Sequence, residues 1–144
     1  MPIKKELSLK EKMVNYLMKK GKKNGAERIY NNMLKIMDER GHKEPENTLR
    51  KALENIYPII EVRPRRIGGA VYQVPIEVIG KRRIALGLRW LLNAANQKKG
   101  KAMSEKLADE LIAALDGQGA AVKKKDEVHK MAEANKAFAH FARY

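Results

Sequence analysis

The sequence predicts a mainly α-helical protein, a six-helix bundle with one β-hairpin arm inserted between its third and fourth helices. Apolar residues recur every three or four positions through six segments, which is typical of amphipathic helices. One stretch, EVRPRRIGGAVYQVPIEV from Glu61 to Val78, instead alternates with period two on both sides of a Gly-Gly pair. That pattern predicts a hairpin with a two-residue turn. The length of 144 residues suits one domain, residues 1–144, around one core.

Residues that begin and end helices bound each predicted segment. Ser8 and Glu11 have capping-box spacing at the first helix, and Gly21 is the expected C-terminal cap. Pro45 suits the start of the third helix, because a helix does not need the N–H that proline lacks there. The predicted helices run from Ser8 to Gly21, Asn24 to Gly41, Pro45 to Pro58, Lys81 to Gly100, Met103 to Gly117 and Val122 to Ala137. The hairpin fills the gap at about Ile59–Val78.

The hairpin is predicted to be an arm that contacts a partner. One face of its second strand carries Ala70, Tyr72, Val74, Ile76 and Val78. A two-stranded ribbon is marginally stable alone in water, and strands of eight or nine residues reach about 25–30 Å. We therefore expect the basic tip of the hairpin to extend away from the helices. Trp90 in the fourth helix is expected to be a core or partly buried residue.

Charge is the most informative feature of the composition. The sequence has 31 Lys and Arg against 17 Asp and Glu, for a net charge of +14 and a pI near 10. Such an excess predicts a polyanionic partner, and nucleic acid is the first candidate. Lysine runs often lie on solvent-facing helices without a specific partner. Arginine is more informative, because its planar guanidinium binds two phosphate oxygens and stacks on bases.

Charge and its placement select candidate RNA-binding residues in the N-terminal segment, the hairpin, the fourth helix and the sixth helix. They are Lys4, Lys5, Lys22, Lys23, Arg63, Arg65, Arg66, Lys81, Arg82, Arg83, Arg89, Lys123, Lys124 and Lys125.

Enzymatic, metal-binding and membrane functions find little support in the sequence. Cysteine is absent, so disulfides and thiolate chemistry are excluded. The three histidines, His42, His129 and His140, have no metal-ligand spacing. No apolar run approaches the roughly 20 residues that cross a bilayer, and the N-terminal segment lacks the features of a secretory signal. We expect no catalytic residue, no metal, no cofactor and no membrane partner.

Four stretches of the sequence resemble the bacterial-type family of small-subunit ribosomal protein seven. They are VNYLMKKGKKNGAERIYNNML, ALENIYPIIEVRPRRIGGAVYQVPIEV, RRIALGLRWLLNAA and GAAVKKKDEVHKMAEANKAFAHF, and they cover nearly the whole chain. The resemblance implies a helical bundle with a hairpin between its third and fourth helices. It also implies a structural protein of the small ribosomal subunit, in a bacterium or an organelle.

The same resemblance implies partners. Family members bind the 3′ major (head) domain of small-subunit ribosomal RNA and nucleate assembly of the head. Their hairpin lies by the exit-site tRNA and the mRNA path, close to ribosomal protein eleven. By matching position, the implied RNA-facing residues are Lys22, Lys23, Arg63, Arg65, Arg66, Arg82, Arg83, Arg89 and Lys123–Lys125.

One alternative of a different class stays open on the sequence alone. An architectural DNA-binding protein would also carry a basic β-ribbon, with Pro64 as a wedge between base pairs. Such proteins are usually obligate dimers, and no additional apolar face is evident for dimerisation. Co-sedimentation with small subunits or with DNA would distinguish the two.

Overall fold

A computed structural model describes residues 8–143 of the chain, and in that range the predicted fold class is confirmed. Six α-helices and one antiparallel hairpin occur in the expected order, followed by a C-terminal 3₁₀ helix. Their bounds are α1 Leu9–Leu17, α2 Lys23–Glu39, α3 Pro45–Ile56, β1 Ile60–Ile67, β2 Ala70–Glu77, α4 Lys81–Gln97, α5 Met103–Leu115, α6 Ala120–Ala134 and the 3₁₀ helix Lys136–Arg143.

Helix α5 lies at the centre of the bundle, where it packs against α2, α3, α4 and α6. Its sequence, MSEKLADELIAAL, is the most apolar of the six helices, and Leu107 and Leu111 are fully buried. Helix α4 contributes Leu88 and Leu91 to the same core. The other helices bury one apolar stripe each, as their sequence periodicity predicts.

Several predicted helix boundaries are confirmed, whereas the end of α1 and the bounds of α6 are wrong. The Ser8 hydroxyl accepts a hydrogen bond from the N–H of Glu11 at 3.2 Å, so Ser8 caps α1 as expected. Helix α2 ends at Glu39, just before the predicted Gly41. Helix α1, however, ends at Leu17 because Met18 is already extended, so Gly21 lies in the following loop. Helix α6 is displaced toward the N-terminus, because the residues after Ala134 wind into the tighter 3₁₀ helix.

The hairpin has the predicted Gly-Gly turn. Gly68 and Gly69 both have positive φ, 58° and 86°, which a type I′ two-residue turn requires. Ile67 pairs with Ala70 beside the turn, and the N–H of Val78 donates to the Ile59 carbonyl at the base. The more buried face of β2 carries Tyr72, Val74 and Ile76. Val78, just after the strand, continues this face and is buried. Pro75 on the opposite face is buried as well.

The hairpin is not the bare ribbon that the sequence predicted. Its base packs on α6, and the 3₁₀ helix packs along β2. Tyr72, near the tip, contacts Phe138 and Phe141 with ring centroids 5.2 and 4.8 Å apart. These apolar contacts supply the burial that an isolated two-stranded ribbon lacks.

Candidate nucleic-acid interface

The candidate residues within the described range fall into four groups by element. We call them the loop pair (Lys22 and Lys23), the hairpin arginines (Arg63, Arg65 and Arg66), the α4 bases (Lys81, Arg82, Arg83 and Arg89) and the α6 lysines (Lys123–Lys125). Most are exposed, whereas Arg65, Arg83 and Lys125 are partly buried. Lys4 and Lys5 lie outside the described residues.

A buried carboxylate joins one of the hairpin arginines to one of the α4 bases. Glu61 in β1 has a side chain that is only 10% exposed. It accepts hydrogen bonds from Arg63 Nε at 2.7 Å and from Arg82 Nη2 at 3.3 Å. Each guanidinium side chain is nearly half exposed, at 49% and 44%. Because a guanidinium has five N–H donors, both arginines keep donors for a second anion.

Arg83 makes contacts inside the protein that stabilise its fold. Its Nε donates to the Pro58 carbonyl at 3.1 Å, and its guanidinium lies 5.6 Å from the centre of the Tyr57 ring. Burial, reinforced by the charge of Glu54 and opposed by Arg83, raises the pKa of Tyr57 to about 12. Arg83 therefore ties α4 to the junction between α3 and the hairpin.

A histidine attaches the base of the hairpin to α6. The N–H of Ile59 donates to His129 Nε2 at 3.3 Å, so that nitrogen is unprotonated in this contact. Burial lowers the pKa of His129, the positive charge of Lys125 lowers it further, and Asp126 opposes them. The hairpin and the α6 lysines are therefore held in one arrangement.

Helix α4 and helix α6 form the two walls of a polar groove of about 480 Å³. Lys123 and Lys124 line one wall, and Trp90, Asn93 and Gln97 line the other. Trp90 is partly buried and packs against the core, as predicted. Lys123 and Lys124 thus lie beside the middle and the end of α4.

The last turns of α4 also reach the loop pair. Leu92 and Asn96 line a second groove together with Lys19 and Lys22 of the α1–α2 loop. Lys22 and Lys23 begin the 17-residue helix α2, whose N-terminus adds positive partial charge. Helix α4 has 17 residues and is therefore about 25 Å long. The α4 bases lie on this helix, Glu61 joins Arg63 to it, and Lys22, Lys123 and Lys124 line grooves beside it.

Other kinds of site find no support in the part of the chain that the structure describes. Between residues 8 and 143, no group of three or more His, Asp or Glu residues is placed to hold a metal ion. No helix in that range is long and apolar enough to span a membrane.

Comparison with known proteins gives relatives over most of the chain. It is 52% identical to the small ribosomal subunit protein uS7 of Thermosipho melanesiensis over 133 residues, 92% of this chain and 86% of that protein. The uS7 of Thermotoga maritima is 52% identical over 130 residues, 90% of this chain and 84% of that protein. For Dictyoglomus thermophilum uS7 the identity is 50% over 133 residues, with 92% and 85% covered. The family model for ribosomal protein S7p/S5e matches residues 2–136. The chain belongs to this family.

Membership of the S7p/S5e family confirms several predictions from the sequence. The chain is a structural, non-enzymatic protein of the small ribosomal subunit and is located in the ribosome. Ribosomal RNA binding and a part in translation follow from the family. The alternative of an architectural DNA-binding protein is set aside on the same finding.

Glu61 is not among the residues predicted from the sequence, because those were selected by positive charge. A signal was available: Glu61 and Arg63 are two positions apart in a strand, so both side chains lie on one face. The contact with Arg82 had no comparable local signal, because the two residues are 21 positions apart and belong to different elements.

Proposed function

We propose that this chain binds the 3′ major (head) domain of small-subunit ribosomal RNA and nucleates assembly of the head. In the same proposal, the hairpin extends to the exit-site tRNA and the mRNA path, next to ribosomal protein eleven. The observation that carries the proposal is that the bases of α4 continue into Arg63, held through Glu61, and into the lysines that line the grooves on either side of the helix. The family membership and the net charge of +14 support it as well.

The arrangement suits structured RNA better than a single short anion. Phosphates of an RNA backbone are spaced regularly, and a basic surface about 25 Å long can neutralise several of them. Contacts to phosphates fix the position of a protein without reading sequence. Asn93 and Asn96 are exposed on α4 among the basic residues, and their amides are suited to hydrogen bonds with base edges. The α4 surface therefore combines positioning contacts with groups that can select an RNA.

The division of labour follows from the contacts of the hairpin. Its base is fixed by Glu61 and by His129, so it is part of the same rigid surface as α4. The tip carries Arg66 and Val71, both exposed and paired across the strands. We assign RNA anchoring to the helices and the hairpin base, and contact with tRNA and mRNA to the tip.

Binding to separate transcripts of the 5′, central and 3′ major domains of small-subunit RNA tests the anchoring. We expect the 3′ major transcript to bind at least about 10³-fold more tightly at physiological salt, the lower end for specific over non-specific binding in protein–DNA complexes. Equal affinity for all three transcripts would reduce the interaction to charge attraction alone and would refute the proposal.

A further inference from the structure

A second groove lies where α1, α2, α4 and α5 meet, beside the last turns of α4. Its volume is about 340 Å³, which is within the size range of small-ligand sites. Its walls are mainly apolar and are formed by Leu17, Ala26, Ile29, Leu92 and Met103. The groove is therefore large enough for one flat group of nucleobase size together with its sugar.

The rim of this groove has the opposite character from its walls. Lys19, Lys22 and Lys106 surround the opening, and none of the described residues that line the groove is acidic. Tyr16 also lines the groove, and the residue is 39% exposed. Asn96 adds an exposed amide from the last turn of α4. An apolar space surrounded by ammonium groups is complementary to a ligand with a flat apolar part and a negative charge.

We propose that this groove binds one unpaired nucleotide of the RNA. The base enters between the apolar walls and stacks on Tyr16, and the Asn96 amide donates to or accepts from its edge. The lysines of the rim neutralise the phosphates on either side. Proteins commonly recognise unpaired RNA bases through stacking combined with hydrogen bonds to the base edge.

The groove continues the interface rather than standing apart from it. Lys22 belongs to the loop pair, and Asn96 lies on the same exposed side of α4 as Arg89 and Asn93. An RNA strand that follows α4 toward its C-terminus therefore arrives at the opening. The inference rests on the proposed function, and it adds a specific site for one extruded base.

Nuclear magnetic resonance of the full-length protein with labelled Ile and Met methyl groups tests the inference. The probes are the four nucleoside monophosphates, with ribose 5-phosphate and inorganic phosphate as ligands that lack a base. We expect at least one nucleotide to shift the methyl signals of Ile29 and Met103 saturably, while the ligands without a base leave them in place. Equal shifts with ribose 5-phosphate, or none with any nucleotide, would overturn the inference.

Variants of Tyr16 give a second measurement on RNA itself. Tyr16→Leu keeps an apolar side chain and removes the ring, so affinity for the 3′ major transcript should fall about 5- to 150-fold. Tyr16→Phe keeps the ring and should restore most of that affinity. Thermal melting of both variants checks that they fold. If Tyr16→Leu binds like the parent, the base does not stack there.

The two proposals fail in different ways. If nucleotides shift the methyl signals but the three domain transcripts bind equally, the groove inference is supported and the proposed binding to the head domain is wrong. If the 3′ major transcript binds selectively but neither it nor any nucleotide moves the Ile29 and Met103 signals, the groove inference alone fails.

Discussion

Glu61 of β1 accepts a hydrogen bond from Arg82 of α4 at 3.3 Å, so a buried carboxylate connects the hairpin to the helical bundle. The same carboxylate holds Arg63 at 2.7 Å. Two arginines of the candidate interface are therefore positioned before any RNA arrives. Side chains that are already ordered lose less conformational entropy on binding, so this contact serves both the fold and the interface.

Replacement of Glu61 by Gln should lower stability. The amide is neutral, and its NH₂ group cannot accept a hydrogen bond from the second guanidinium. Breaking a fully buried ion pair costs about 3–5 kcal/mol, and we expect about 1–3 kcal/mol here because both arginines are nearly half exposed. Urea unfolding measures the change. The matched control is Glu77→Gln, which removes the same charge from an exposed position of β2. Equal stability of the two variants would show that the Glu61 contacts contribute nothing.

Replacement of Arg82 and Arg89 by Gln should weaken the salt dependence of RNA binding. Each phosphate contact contributes about 0.7–0.9 log units of affinity per log unit of salt. The double variant should therefore flatten the slope by roughly one to two units. Filter binding to the 3′ major transcript over a range of KCl concentrations measures the slope.

A charge-matched variant separates local contacts from overall attraction. Lys35 on α2 and Lys51 on α3 are exposed and lie outside the four groups of bases. Lys35→Gln with Lys51→Gln removes the same charge and should leave the slope unchanged. If this control flattens the slope as much as the α4 variant, the α4 surface is not the binding surface.

Gly87 in α4 is required by the ring of Tyr57. A Cβ atom at position 87 would lie 2.3 Å from Cδ1 of Tyr57, so the buried ring would have to move. Overpacking of this kind costs about 1–3 kcal/mol, whereas alanine gains about 1 kcal/mol of helix propensity over glycine. We expect Gly87→Ala to reduce the free energy of unfolding by up to about 2 kcal/mol. In a Tyr57→Leu background the same change should be neutral or stabilising, and a loss of equal size there would disprove the contact.

The contact between His129 and the hairpin should make stability depend on pH. Burial lowers the pKa of His129 below its ordinary value of 6.5, with Lys125 acting in the same direction. The unfolded chain therefore binds the proton more readily, and stability is lost as the pH falls from above 6.5 through the folded pKa. His129→Gln keeps an acceptor and cannot titrate, so this part of the pH dependence should disappear from urea unfolding. His42→Gln, a control in the α2–α3 loop, should retain it. If the unmodified protein is equally stable above pH 6.5 and below the folded pKa of His129, the prediction is wrong.

Local signals in the sequence were sufficient to predict that the helices and the hairpin form. Gly68 and Gly69 between two alternating segments determine the turn, because few other residues adopt positive φ twice in succession. The alternation around Tyr72 identified which residues of β2 share a face, because a strand has a period of two. Arginine and lysine placement selected the bases of α4 and of the segments next to it. These features depend on neighbours within a few positions of the chain.

Contacts between distant segments could not be predicted in the same way. Alternation placed Tyr72 on one face of β2 with Val74 and Ile76, but it did not show that Phe138 and Phe141 contact the Tyr72 ring. Gly87 sits in an ordinary helical pattern, and only the packed structure reveals the ring against it. Arg83 was selected as an RNA ligand from its charge, and its contacts with Pro58 and Tyr57 show a role in packing.

A shortened hairpin should separate the two parts of the proposed function. Replacement of residues 66–71 by Asn-Gly makes Arg65 and Tyr72 the last pair before the turn, in the register that they already have. Removal of two pairs keeps every remaining side chain on its face and gives the turn a closing pair of the same hydrogen-bonding type. Asn-Gly suits a two-residue turn. Glu61, Arg63 and the ring contacts of Tyr72 are retained, so we expect folding to be intact.

The shortened arm is about 7 Å shorter, at about 3.3 Å per pair, and it loses the exposed Arg66. We expect the variant to enter small subunits in cells, because α4 and the hairpin base are unchanged. Retention of exit-site tRNA on purified ribosomes should fall, since the tip no longer reaches it. The matched control is Arg66→Gln, which removes the charge and keeps the length. If the shortened protein is absent from small subunits although it folds, the tip anchors the RNA during assembly, and the division between helical anchor and functional arm is wrong.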